Sequence, residues 1–349
     1  MRHQSLLLFW GLLGVSIAFC LFFITPAQPV QGQTDQLFVS WLGWGDSCTQ
    51  LLPCSFETAQ DLLASGDTVY STVYIKKGNH YLDSSFTINQ SVSVVGGWDG
   101  AGDGEVVVDP EKYPTVFMAV EAPDEPFIDI GTDSDPYTVE ISGIYFYSMA
   151  SGGIVVGDGS TLVIERNYFD RITPAIKVGV NANIIAVNNI FDDCAHTFYT
   201  DESTVDGGII HLVNNTFAHV YQVVNVKGYD VSAFNNIFNN IVLDVITGNS
   251  GEVDASHNLL YESDDPGNLP EGSWITGDPQ FVDPDSGDFH ISVTSPARDA
   301  GTTPSILGYG TLTVDYDGEA RPNEDGYDIG ADEYYEPVLT PTFFPIFAN

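Results

Sequence analysis

Positive charge is what this sequence has least of. Ten Lys and Arg stand against 48 Asp and Glu in 349 residues, a net of −38. So anionic a chain is repelled by nucleic acid and by anionic bilayers, which excludes both as partners of the folded body. Divalent cations and a salty medium remain compatible with it. Cysteine is scarce as well. There are four, with no CxxC and no Cys/His spacing of a zinc site. Cys48 and Cys54 enclose a short Pro-containing loop and are expected to form a disulfide, which fits an oxidising compartment. Cys20 falls in an apolar leader, and Cys194 is left over as a small buried residue. No GxSxG, P-loop or dinucleotide fingerprint occurs, so the chemistry those motifs carry has no support here.

What the sequence does have is a repeat. Asn167-Tyr168-Phe169, Asn189-Ile190-Phe191, Asn215-Thr216-Phe217, Asn236-Ile237-Phe238 and Asn258-Leu259-Leu260 end five similar segments, their asparagines 22, 26, 21 and 22 residues apart. That period is short for paired helices and suits one solenoid turn of three short strands. Ahead of each Asn runs an alternating triplet, from Leu162-Val163-Ile164 to Val253-Asp254-Ala255, apolar at both ends and variable in the middle. Period 2 means one buried face and one that varies freely. Further upstream, Ile154, Ile176, Phe198, Val224 and Val245 are expected to point inward, and Val155, Lys177, Tyr199, Asn225 and Ile246 outward. The Phe column fills the interior. The Asn column is expected at the bends, where Asn tolerates left-handed backbone and stacked amides bond one another. These columns are therefore architecture, and function belongs to the positions they leave free.

Residues 1–32 join a basic start, Arg2 and His3, to the uncharged run Leu6–Ile24 and the small-residue stretch before Gln33. Two readings stay open: a signal peptide cleaved after Gly32, or an uncleaved anchor, the one route by which the chain would touch a membrane. Residues 33–66 read as an N-terminal cap, with Ser55 capping a helix over Phe56–Ala64 that buries Phe56, Ala59, Leu62 and Leu63. The solenoid is expected over 67–262. Within it, Thr68–Ile75, Phe86–Ile88, Val92–Val95, Val106–Val108, Val116–Met118, Phe127–Ile130, Val139–Ile141 and Ile144–Phe146 read as strands, and Gly78-Asn79-His80-Tyr81 as a turn. The longest repeat carries an insertion, Asp201–Asp206, and insertions in solenoids emerge on one face.

Ser65-Gly66-Asp67-Thr68-Val69, followed by Tyr74-Ile75 and Gly78, resembles the first coil of secreted right-handed parallel β-helix proteins. More specific is Gly277-Asp278-Pro279-Gln280-Phe281-Val282-Asp283-Pro284, with Gly287-Asp288-Phe289-His290-Ile291, Asp315-Tyr316-Asp317-Gly318, Arg321-Pro322 and Asp328-Ile329-Gly330-Ala331-Asp332-Glu333-Tyr334. This set closely resembles the C-terminal module of β-helix proteins of the choice-of-anchor Q type. The resemblance covers about residues 45–335. It implies an all-β, right-handed parallel β-helix of the pectate-lyase-like kind, with three-strand coils of about 22 residues, an N-terminal capping helix and a C-terminal capping module over 263–335. It also implies an exported bacterial protein, secreted or held at the cell surface. It implies no activity, because the fold carries lyases, hydrolases, adhesins and inert stalks. Residues 336–349, a Pro-rich linker and an apolar tail, read either as a sorting tag or as a strand tucked on the body.

A lyase on this fold needs a Lys or Arg base, usually with Ca²⁺. Lys177 is the candidate base, with Arg171 nearby in sequence and Tyr199 and Asn225 as sugar contacts on following coils. An Arg171–Asp193 ion pair across coils is an alternative use of that arginine. Asp170 and Asp192, one coil apart, would suit a hydrolase pair. Asp283, Asp285 and Asp288 on one loop, and Asp315, Asp317 and Glu319 on another, alternate carboxylates around a Gly turn as Ca²⁺ ligands do, though neither is a full EF-hand. The bland alternative is an Asx turn. No cofactor is required; Ca²⁺ is the one the loops would take. The leading function is binding or scaffolding of an extracellular polysaccharide or cell-envelope glycan, adhesin fashion. Lyase or hydrolase activity and a purely structural surface-layer role are the alternatives.

Overall fold

The computed structural model describes residues 35–65, 68–119, 125–131, 135–147, 152–200, 207–247, 251–263, 265–304 and 312–336. The leader 1–32, the insertion 201–206 and the tail 337–349 lie outside the described residues. Among the described residues no helix is long and apolar enough to cross a membrane.

Three parallel sheets make the body. The first has nine strands, from Gln36–Val39 to Val253–Ser256. The second has nine, from Gly78–Leu82 to Trp274–Thr276. The third has eight, from Phe86–Ile88 to Asp265–Gly267. The chain visits the sheets in turn and pairs each strand with that of the previous coil, a right-handed parallel β-helix. The register is that of the repeat: Leu162 meets Ile184, Ile210, Val231 and Val253 in succession, and Val163, Ile185, His211, Ser232 and Asp254 form the variable column beside them.

Inside, Phe146, Phe169, Phe191, Phe217 and Phe238 stack at centroid spacings of 4.7, 4.9, 5.0 and 5.3 Å, all fully buried. Their ring planes are tilted by 15° or less. Each ring buries a large apolar area and adds the offset-stacking term. The asparagine ladder runs beside them. Asn189 donates from Nδ2 to Ile164 O, Val187 O and Asn215 Oδ1, and its Oδ1 accepts from Asn167 N–H and Nδ2. The left-handed backbone, however, belongs to the residue before each ladder member: Arg166, Asn188, Asn214, Asn235 and His257, at φ 51° to 57°. One residue bends the chain, and the next turns its amide inward to satisfy the carbonyls the bend exposes.

At the N-terminal end the helix is Phe56–Ser65, capped by the Ser55 hydroxyl, which accepts Thr58 N–H at 3.2 Å. It lays Ala59 and Leu63 on the open coil, and Phe56 meets Phe86 and Phe117 edge-on. The Cys48–Cys54 disulfide is formed, and Cys194 is buried. The solenoid begins earlier than expected, because Gln36–Val39 pairs with Thr72–Lys76 as its first strand. Gly78–Leu82 is a strand, not a turn. His80 stands at the head of the Phe column, in register with Phe117 and Phe146, so a polar residue at an inward position hid the alternation. Val106–Val108 makes only one bridge, Val108 to Trp98.

The last coil runs on to Trp274–Thr276, and the chain then turns back. A hairpin, Phe281–Asp283 with Asp288–Ile291, and the loops that follow lie along the side of the solenoid rather than across its end. The outer face of the second sheet is apolar here, with Tyr168, Ile190 and Ala218, and it is covered by Phe289 and Ala331. The bends hold the module. Arg166 Nε donates to Tyr316 O, Asn188 Nδ2 to Val314 O, Asn214 Nδ2 to Asp328 O, and Asn235 Nδ2 to Thr302 O, all at 2.7–2.8 Å.

Candidate functional site

The outward column of the third sheet is Thr87, Asp129, Val155, Lys177, Tyr199, Asn225 and Thr247. Its last member differs from expectation: Ile246 pairs with Val224 and points inward, and Thr247 takes the outer place. Val245 and Ile246 are both buried, as are Val223 and Val224, so adjacent apolar residues erase the alternation that would set the register. Lys177, Tyr199 and Asn225 do line one face, at the roughly 4.8 Å coil spacing of a sheet. Beside them His196 touches both Tyr199 and the exposed Tyr221, and Gln222 donates to Thr247. The result is a shallow polar and aromatic strip.

Arg171, Asp170 and Asp192 are on a different sheet, the second. Asp170 and Asp192 are register neighbours there. Arg171 does not reach Asp193. It grips Asp170 on its own coil, Nε to Oδ1 at 2.9 Å and Nη2 to Oδ2 at 3.0 Å, and lies over the Tyr147 ring. Asp193 is itself in the left-handed turn that follows the strand, which aims it elsewhere. The Tyr145 hydroxyl donates to Asp170 at 2.9 Å and the Tyr168 hydroxyl to Asp192 at 3.3 Å, while His219 Nδ1 meets Asp192 at 2.8 Å. Burial raises the Asp192 carboxyl above the ordinary range, and His219 works against that. Burial, with the neighbouring carboxylates, likewise raises both tyrosines. Reading from sequence missed the part played by Tyr145 and Tyr168. Their signal was positional: each falls on the second-sheet strand of its coil, one coil from the acid it bonds.

The two acidic loops expected to take Ca²⁺ meet at a residue that sequence reading left out, His290. Its Nδ1 lies 2.6 Å from Asp288 and its Nε2 2.9 Å from Asp317. With a carboxylate at each nitrogen the ring keeps both protons, and its pKa is raised to about 10, chiefly by Asp317. Asp283 and Asp285 stay exposed on the short turn Pro284–Ser286. Asp315 is fully buried and committed to backbone: Oδ1 accepts the N–H groups of Asp317, Gly318 and Glu319, and Oδ2 that of Glu333. That is an Asx-type turn, the other use of these carboxylates that the sequence left open. His290, Asp317 and Asp332 offer ligand atoms within 4.8 Å of one another, so a divalent ion would have to displace the imidazole proton. Glu319 is exposed nearby. The rest of the motif is likewise structural. Arg321 and Glu333 form a fully buried pair at 2.9 Å, and Asp328 caps the N–H groups of Asp299 and Tyr334.

By fold the chain is a parallel β-helix protein. No protein-family model matches it, and no curated protein matches it. Among solved structures it is similar to pectate lyase Pel9A, with 13% sequence identity and a TM-score of 0.27, over 87% of this chain and 98% of that one.

Proposed function

We propose that this is an exported protein of the cell surface or medium that binds extracellular polysaccharide along the outer face of the third sheet and performs no chemistry on it. The export reading rests on the leader and on the likeness to choice-of-anchor Q modules. One observation carries the rest: the candidate base and its would-be partners are on separate sheets. Lys177 stands on the third, while Arg171, Asp170 and Asp192 stand on the second and bond one another or nearby tyrosines and histidine. A lyase needs its base within hydrogen-bond reach of the same sugar whose carboxylate is neutralised. A strip with Tyr199, Asn225 and Thr247 on successive coils suits binding instead, because its rise is close to the length of one sugar unit.

A glycan screen of the purified protein tests this. We expect retention of at least one polysaccharide, weakened about tenfold by Tyr199→Ala with Asn225→Ala, and no unsaturated uronide absorbance on pectin or alginate. Absorbance that Lys177→Ala removes would make the protein a lyase. Binding to nothing in the screen would leave the structural surface-layer role.

A further inference from the structure

The N-terminal loop is a second candidate, on residues that the third-sheet reading does not use. Ser40 to Pro53 leaves the first strand, exposes two tryptophans and returns to the helix. It is tightly held. The Cys48–Cys54 disulfide closes it, Trp44 and Gly45 N–H both reach Pro53 O, and Ser40 N–H donates to Cys54 O at 2.9 Å. Gly43 lies so close to the Cys54 carbonyl that a Cβ would meet its oxygen at 2.0 Å. Any side chain there would force the loop open. A loop fixed in this way loses little entropy on binding.

Against this loop lies a cleft of about 320 Å³, walled by Trp41, Trp44, Lys76, Lys77, Asn79 and His80. Trp41 is 46% and Trp44 81% exposed, in a body whose other large aromatics are mostly core. Trp41 is also fixed: its ring meets Tyr81 edge-on at 5.2 Å, and its backbone N–H donates to His80 Nδ1. His80 Nε2 in turn donates to Lys76 O, so one neutral, buried imidazole ties the tryptophan to the lysine strand. None of the residues lining the cleft is Asp or Glu, although the chain has 48 of them. Two of its five lysines, Lys76 and Lys77, line it instead, and Lys77 shares the Tyr113 ring with Lys112. Neither Lys76 nor Lys77 forms an ion pair among the described residues. In so anionic a molecule this is a local inversion of sign.

Flat indole faces suit the C–H face of a sugar ring, lysines suit an anionic substituent, and Asn79 and Ser40 supply neutral hydrogen bonds. We propose that this cleft binds an anionic sugar unit of a polysaccharide, stacked on Trp44 and Trp41 with its carboxylate or sulfate at Lys76 and Lys77. The chain's charge disfavours the other use of exposed tryptophans, insertion into an anionic bilayer.

Calorimetric titration of the whole protein tests it with three probes: an oligogalacturonate, its methyl ester, and a sulfated oligosaccharide of similar length. At least one anionic probe should bind, and the ester at least tenfold more weakly. Preference between carboxylate and sulfate identifies the substituent. Trp44→Ala, and separately Lys76→Gln with Lys77→Gln, should each weaken binding tenfold or more with the melting temperature unchanged. Tyr199→Ala should leave this binding intact, so its failure and that of the third-sheet strip can be told apart. Equal binding of acid and ester, or variants that bind as the parent does, would overturn the proposal. So would Trp44-dependent binding to phosphatidylcholine vesicles in place of the sugars.

Discussion

Asn215 shows how much one side chain can hold in this fold. Its Nδ2 donates to Ala186 O, Val213 O and Asn236 Oδ1, and its Oδ1 accepts the N–H and Nδ2 of Asn189. No water reaches it, so solvent would not replace the bonds its side chain makes, that to Asn189 N–H foremost. Buried polar groups left without partners cost about 1–3 kcal/mol each, so Asn215→Ala should destabilise by about 2–4 kcal/mol. Equilibrium denaturation measures it. A loss below about 1 kcal/mol would mean that strand pairing, not the amide ladder, holds the bend. Asn214, one residue earlier, does different work: it takes the left-handed backbone at φ 53° and donates to Asp328 O and Gly330 O of the C-terminal module. The Asn-Asn pairs at 188–189, 214–215 and 235–236 are therefore two columns with separate tasks.

At the scale of elements, what repeats was legible and what happens once was not. Period 2 and period 22 display the Phe and Asn columns and the core strands, because each coil restates the same burial. The strand Gly78–Leu82 was hidden because His80 replaces Phe only at the first coil. The Val245–Ile246 register was hidden because both residues are buried. The path of the C-terminal module was out of reach, since a loop-rich segment carries no periodicity to say which face it covers. Its acidic loops looked like ligand sets, yet three of their six carboxylates, Asp288, Asp315 and Asp317, serve backbone or His290. That docking predicts a pH response. The His290 pKa rises from 6.5 to about 10 in the folded protein, with Asp288, Asp317, Asp332 and Glu319 facing it. The stability it adds is complete below about 6.5 and lost as pH climbs through about 10. Burial also lifts Asp332 to about 8, so its ionisation opposes folding over part of the same range. Melting temperature should fall between pH 6 and pH 10, and His290→Gln should flatten that fall. A wild-type curve as flat as that of the variant would show that the imidazolium does not latch the hairpin.

For the whole molecule, one variable should act in opposite directions at two places. With a net charge of −38, like-charge repulsion works against the compact state, and close ion pairs are few among the described residues. Two of them, Arg171–Asp170 and Arg298–Glu324, are partly exposed and contribute little to stability. Raising NaCl to about 0.5 M shortens the screening length to about half its value at 0.1 M. The melting temperature should therefore rise by a few degrees, read by calorimetry against a low-salt buffer. At the cleft beside Trp44 the attraction is between lysines and an anion, and there added salt should weaken oligogalacturonate binding. If salt lowered the melting temperature, attractive pairs would outweigh the repulsion summed over 48 acids. If salt strengthened binding, the general repulsion between an anionic chain and an anionic sugar would exceed the pull of Lys76 and Lys77. The measurement thus separates a local cationic patch from the anionic field around it, a distinction that net charge alone cannot make.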